Sequence, residues 1–381
     1  MTEKIEPVLI SQELTKDDFN KVIWHTIHHN ASDLMIDFDY PIRIDVKGVI
    51  HEITKIKLQP EACKQFLIFL LGSREALVSN CIASEPIYFS HIAKNPSDPT
   101  NIRSFRVAAL TSRSMMYGKT FKMVCRLNPD VPENAEQLDI ERDLVSIVQN
   151  SRKGIALFIG GTGTGKTTTM AGIIVSVLET KSNGKHIVIF EDPPEINYEK
   201  INKAKGNSVS VHEVGTLEND SDVLSFESGL KAALRLRPNI LVQGEIRVKS
   251  GIIYALNFAN TGHFLMATLH SNSCESAISR IYNMATGEDQ QTVLEGFINS
   301  LSVLVAQLLV VTTDGERIAI REIVYLDDDL RIKLLNAKSN KEMSSAIRNY
   351  LEERGQTFKQ QLEKLYQNGI IGPESLFLEV R

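Results

Sequence analysis

The run GGTGTGKTTT, residues 160–169, leaves the chain few ways to fold. Gly160, Gly161, Thr162, Gly163, Thr164, Gly165, Lys166 and Thr167 fill G-x-x-x-x-G-K-[ST] without a gap, a pattern that works where a strand ends and a helix begins. The glycines let backbone N–H groups wrap phosphate oxygens, and the N-terminus of the following helix adds partial positive charge. The apolar run GIALFI stands before the loop, and a helix-forming stretch carrying Thr168 follows it. In such a loop the Lys166 ammonium reaches the β and γ phosphates and the Thr167 hydroxyl ligates Mg²⁺. The bland alternative, a Gly-Thr-rich surface turn, leaves the flanking strand and helix unexplained. The segment is expected to hold a nucleoside triphosphate.

Three further apolar runs, HIVIF, NILVQG and HFLMATL, alternate with helical stretches. That grammar predicts a mainly parallel sheet covered on both faces. In such a sheet the C-terminal strand ends share one crevice. Glu191, Asp192 and Glu195 follow the first run and Glu245 the second, so these acids are candidates to converge on the loop; solvated loop acids are the competing reading. His263 and His270 bracket the third run, and a spacing of seven puts them on opposite faces of an extended segment. One is then structural while the other sees the γ-phosphate. His25 and His29 in HTIHH lie at i and i+4 of a helix, but no carboxylate ligand stands near, which favours a solvated face over a metal site.

The first third, residues 1–127, reads as a small α+β domain. Phe19, Val22, Ile23 and Ile27 share one helical face, Ile42, Ile44 and Val46 alternate as a strand within PIRIDVKGV, and a helix is expected after Pro60. SFRVAALTS and TFKMVCRL read as strands turning near Tyr117 and Gly118. Residues 128–138, with two prolines, are the linker; 139–335 form the P-loop domain; 336–381 are charged and largely helical. A net charge of -5 argues against a broad nucleic-acid footprint. Four widely spaced cysteines suit reduced, buried thiols. The first 25 residues lack the apolar core of a signal peptide, and FLIFLL and VLVAQLLVV fall short of the roughly 20 residues a membrane span needs. A cytoplasmic protein that meets membranes through partners is expected.

Four of these elements, in this order, resemble the PilT-type secretion and pilus traffic ATPases: GGTGTGKTT as the P-loop, EDPPE as the acidic box, LVQGEIR as a variant Walker B, and TGHFLMATLHSNS as the histidine box. NASDLMI, FRVAALTSRS, CRLNPDVP and TFKQQLEKLYQNGII extend the likeness over most of the chain. The resemblance implies a RecA-like P-loop NTPase domain, preceded by a PAS-like α+β domain and followed by a helical tail. It implies Glu195 as the base for water with Glu191 the weaker candidate, Glu245 as a partner of the metal, and His270 as γ-phosphate sensor. It also implies a homo-hexamer in which arginines complete the site, by position among Arg106, Arg113, Arg126 and Arg280, because developing phosphoryl charge needs a cation.

Gln243 replaces a usually apolar residue, Val248 stands where the family often has Asp, and Gln307-Leu308-Leu309 stands for its Gln-Arg-Leu. Ala346–Asn349 is the sole echo of the Ala-Ile-Arg-Ala-Gly motif of retraction motors. The likeness leans to the DotB/TraJ branch, which implies ATP hydrolysis with Mg²⁺ that powers type IVB secretion or conjugative transfer, at the cytoplasmic face of the inner membrane and through inner-membrane components. A pilus retraction motor, a DNA translocase and a nucleotide-gated adaptor are the alternatives; the acidic balance weighs against the translocase, and the full set of acids against the adaptor.

Overall fold

The computed structural model describes residues 5–11, 14–72, 77–82, 85–182, 184–215, 221–287 and 289–377. The chain divides into two compact units: Met1–Asp130 with Pro193–Asn197, and Val131–Asp192 with Tyr198–Arg381.

The first unit runs α1 (Lys16–His28), β1 (Asp33–Ile36), β2 (Arg43–Val46), β3 (Val49–Glu52), α2 (Pro60–Leu71), α3 (Leu77–Ile82), β4 (Ile87–Lys94), β5 (Ile102–Ser114) and β6 (Gly118–Leu127). Its six strands form an antiparallel sheet in the order β3-β2-β1-β6-β5-β4. α1 starts on a capping box between Thr15 and Asp18 and buries Phe19, Val22 and Ile23. α2 starts on Pro60 at a position whose N–H has no helical partner, and buries Phe66, Leu67 and Leu70. These side chains pack with Phe89, Phe105, Val107, Met123 and Cys125 into one core. PIRIDVKGV is not one strand. Lys47 and Gly48 adopt φ of 54° and 82°, and the Asp45 carboxylate accepts from Gly48 N at 2.8 Å. That two-residue turn folds the segment into the hairpin β2–β3.

The second unit contains α4 (Arg142–Asn150), β7 (Gly154–Ile159), α5 (Lys166–Glu179), β8 (His186–Glu191), β9 (Ser208–Glu213), α6 (Phe226–Leu236), β10 (Ile240–Gln243), α7 (Lys249–Asn260), β11 (Phe264–Leu269), α8 (Cys274–Met284), α9 (Gln290–Ser300), β12 (Leu301–Val311), β13 (Arg317–Tyr325), α10 (Asp328–Asn336), α11 (Asn340–Glu353) and α12 (Phe358–Gln367). Seven strands order as β13-β12-β7-β11-β10-β8-β9. All neighbours are parallel except β12 and β13. Every residue of β7 and β11 is buried, as a sheet covered on both faces requires. The sequence reading reaches neither β9 nor the antiparallel β13. At the far end of α5, Asn207 Nδ2 donates to the carbonyls of Val177, Leu178 and Thr180 at 2.9–3.1 Å, so one side chain reaches three of the carbonyls at the end of the P-loop helix.

Candidate nucleotide site

β7 delivers the chain into the loop 160–165, and α5 begins at Lys166 with Gly165 as its cap. Gly165 sits at φ 83°, in the left-handed region, and a Cβ there would stand 2.8 Å from Gln307 Nε2. Both conformation and space demand glycine. Lys166 Nζ donates to the carbonyls of Gly160 and Gly161 at 2.9 and 2.6 Å, so the ammonium lies over its own loop. A phosphate bound there would compete with those two carbonyls for a full positive charge. Thr164 Oγ1 donates to Gly161 O at 3.0 Å and tightens the turn. Thr162 and Gly163 are exposed at its crest, and Thr167 and Thr168 lie half-buried in the first turn of α5.

The strand order β7-β11-β10-β8 sets the C-terminal ends side by side. They carry the loop, then His270, then Gly244-Glu245, then Glu191. Glu191 is 8% exposed. A Cβ on Gly244 would lie 3.4 Å from Glu191 Cγ, so glycine lets the two strand ends close up. Thr268 on β11 donates its hydroxyl to Gly244 O and accepts Ile246 N on its carbonyl at 2.9 Å, which draws the Gly-Glu turn toward β11. Glu245 accepts from Arg247 Nε at 2.7 Å, and its other oxygen stands 3.7 Å from His270 Nε2. Arg247 Nη1 lies 3.7 Å from Asp192. Arg247 thus ties two acids from different strand ends. Within LVQGEIR, Arg247 has no expected role from sequence; its one signal is a cation two residues after Glu245.

The two bracketing histidines separate. The His263 ring packs on Phe258 at 4.6 Å between centroids and faces Thr261, whereas His270 stands with Glu245. Arg280, on α8, lines a polar groove of about 590 Å³ together with His270, Ser271, Asn272 and Ser276.

The other three candidate arginines belong to the first unit. Arg106 on β5 donates to Glu195, Arg126 on β6 donates to Asp33 at 3.0 Å, and Arg113 lies exposed toward the end of β5. Asn128 Nδ2 donates to Pro194 O at 3.2 Å. The acidic box is therefore divided: Glu191 and Asp192 go with the second unit, Glu195 with the first. Among the described residues no group of three His, Cys, Asp or Glu side chains is placed to hold a metal ion by itself. The His25 and His29 rings meet edge-to-face at 4.5 Å between centroids, and burial pushes the His25 ring below its ordinary pKa, helped by the nearby His29 and His28.

Fold and site together define a P-loop nucleotide hydrolase. The chain belongs to the type II/IV secretion system protein family, whose model matches residues 101–347, and it is an ATP hydrolase of the secretion and pilus traffic class. The type IV pilus ATPase PilU of Pseudomonas aeruginosa is 30% identical over 355 residues, 93% of this chain and 86% of that one. The ATPase DotB of Legionella pneumophila superposes with a TM-score of 0.80 over 98% of both chains at 23% identity, a likeness of fold. The pilus retraction motor PilT, solved with bound ADP, gives 0.77 over 94% of this chain and 95% of that one at 25% identity. These neighbours share a RecA-like fold, as expected for the second unit.

Proposed function

We propose that the chain works as a homo-hexameric ring ATPase whose hydrolysis cycle moves its two units and powers a type IVB secretion or conjugative transfer machine. The observation that carries the hydrolytic half is the row of strand ends bearing the P-loop, His270, Glu245 and Glu191 within one unit. Lys166 and the loop amides bind the β and γ phosphates, His270 senses the γ-phosphate, and the completing cationic charge comes from among Arg106, Arg113, Arg126 and Arg280. Glu195 takes the proton of the attacking water.

Mg²⁺ fits the donors present: the Thr167 hydroxyl and the Glu245 carboxylate are hard oxygen ligands, and the metal ordinarily needs only one or two from protein. When bound it would neutralise phosphate charge. Among the described residues no helix is long and apolar enough to cross a membrane. We place the protein at the cytoplasmic face of the inner membrane, held there by membrane components of its machine.

The machine itself is read from the likeness to the DotB/TraJ branch and from the departure around Ala346–Asn349. In α11, Ile347 is buried and Arg348 makes two bonds, of 3.0 and 2.8 Å, with Glu275. A pilus retraction motor is the second reading, favoured by the PilU relative. The test is a deletion strain complemented with wild type or Lys166→Ala and scored for conjugative transfer, effector secretion and twitching. Loss of transfer or secretion in both the deletion and the Lys166→Ala strain is expected. Loss of twitching alone would replace this reading with the second. In purified protein, Lys166→Ala should leave less than about one hundredth of wild-type turnover.

A further inference from the structure

The functional reading leaves a chain of buried polar groups beneath the P-loop unused. Gln307 lies in β12 at 3% exposure and is paired in register with Arg321 of β13, itself at 5%. Gln307 Oε1 accepts from Thr169 Oγ1 at 2.7 Å and from Arg321 Nε at 2.9 Å. Gln307 Nε2 donates to the P-loop carbonyl of Thr164 at 2.7 Å. A Cβ added to Gly160 or to Gly165 would lie 2.8 Å from the Gln307 carbonyl oxygen or from Nε2 respectively. One glutamine thus meets the loop at both ends. Arg321 Nη1 continues the chain, donating to Asp139 O at 2.9 Å and standing 3.4 Å from a Glu141 carboxylate oxygen. Asp139 holds φ at 53°. Residues 139–141 belong to the first stretch of the second unit after the boundary at Asp130.

Burying a guanidinium costs several kcal/mol before pairing, and apolar side chains of the same volume often serve stability as well or better. Stability is therefore a poor reason for this arrangement. A continuous set of hydrogen bonds with both ends on backbone carbonyls does something apolar packing cannot: it fixes the orientation of one peptide group relative to another.

We propose that Gln307 is a positioning residue for the P-loop and that, through Arg321, it couples phosphate binding at 164–169 to the order of residues 139–141. This rests on the reading of the loop as the nucleotide site. Phosphate groups drawn into the loop reorient the Thr164 peptide; Gln307 follows its acceptor; Arg321 follows Gln307; and the Asp139 carbonyl and Glu141 carboxylate are drawn with it. Linkage makes the effect reciprocal, so loosening the Glu141 end must weaken nucleotide binding at the other.

Hydrogen exchange on the full chain, with and without Mg-ADP, tests this. In wild type, ADP should slow exchange at 164–169 and also at residues 139–141, where the amides of Asp139 and Ile140 bond Glu136 O and Ala135 O. Gln307→Met should retain the protection at 164–169 once saturated, with ADP bound about tenfold more weakly, and lose it at 139–141. Failure of ADP to protect 164–169 in wild type would defeat the nucleotide site itself. Protection of 164–169 without 139–141 in wild type, or of both in Gln307→Met, would overturn the coupling alone. Should Gln307→Met not fold, Glu141→Gln decides, because its side chain is partly exposed and makes no bond to the loop. A severalfold rise in the ADP dissociation constant supports the coupling; an unchanged constant overturns it.

Discussion

Glu195 accepts a hydrogen bond from the Arg106 guanidinium within the first unit, while Glu191 ends β8 in the second. Glu195→Gln should keep ATP binding and slow hydrolysis by about 10²–10⁴-fold, since an amide cannot act as the base. Glu191→Gln should cost less than about tenfold, because Glu191 is buried with its Cγ close against the Gly244 turn. Single-turnover hydrolysis beside a fluorescent-nucleotide binding curve separates the two effects. A trapped, ATP-bound Glu191→Gln with an active Glu195→Gln would move the base to Glu191.

Among elements, β13 shows most clearly what the sequence could carry. The P-loop, the Gly-Glu turn and the histidine run were legible because each packs its chemistry into consecutive residues at the end of an apolar strand. The partners of those residues were not legible. Arg321 meets Gln307 only because β13 turns back antiparallel beside β12, and Arg247 meets Asp192 only because β10 and β8 are neighbours. The hairpin β2–β3 was hidden for a smaller reason: Lys47 occupies a left-handed position that glycine or asparagine would have announced. β13 also carries Glu322, buried, whose two oxygens accept from Phe358 N at 3.1 Å and Cys274 N at 3.4 Å. Those are the first residues of α12 and α8, so one carboxylate satisfies an orphan donor on each of two helices. Burial pushes the Glu322 carboxyl above its ordinary 4.5, against the lowering effect of the two N–H groups. The folded state then binds the proton more tightly than the unfolded chain. The stability this contributes is fully present below 4.5 and is lost as pH rises through the folded value. Glu322→Gln cannot ionise and should flatten the stability curve from about pH 4.5 upward, at a cost of about 1 kcal/mol for a lost bond. Urea unfolding across that range measures both; an unchanged slope would show that another group governs it.

At the scale of the whole molecule, the main chain crosses between the units three times, at 130/131, 192/193 and 197/198. The last two crossings enclose Glu195, four residues beyond Glu191, the acid that ends β8 in the other unit. In the proposed cycle, a movement of one unit against the other carries Glu195 with it. In the proposed ring, the same movement brings arginine charge to ATP, and its source is a matter of which copy supplies it. Turnover per subunit should rise with protein concentration and level off as the ring assembles. Lys166→Ala subunits cannot hold phosphate, and Arg106→Ala subunits lack a proposed cation, so each should be nearly inactive alone. If Arg106 acts on nucleotide held by a neighbouring copy, mixing the two variants creates junctions where an intact loop meets an intact arginine. In a randomly mixed ring about a quarter of junctions are of that kind, and activity should recover toward that fraction. Mixed rings that stay as inactive as either parent would assign the arginine to its own chain. Full turnover by protein held monomeric by dilution, checked by light scattering at the assay concentration, would remove the ring from the mechanism.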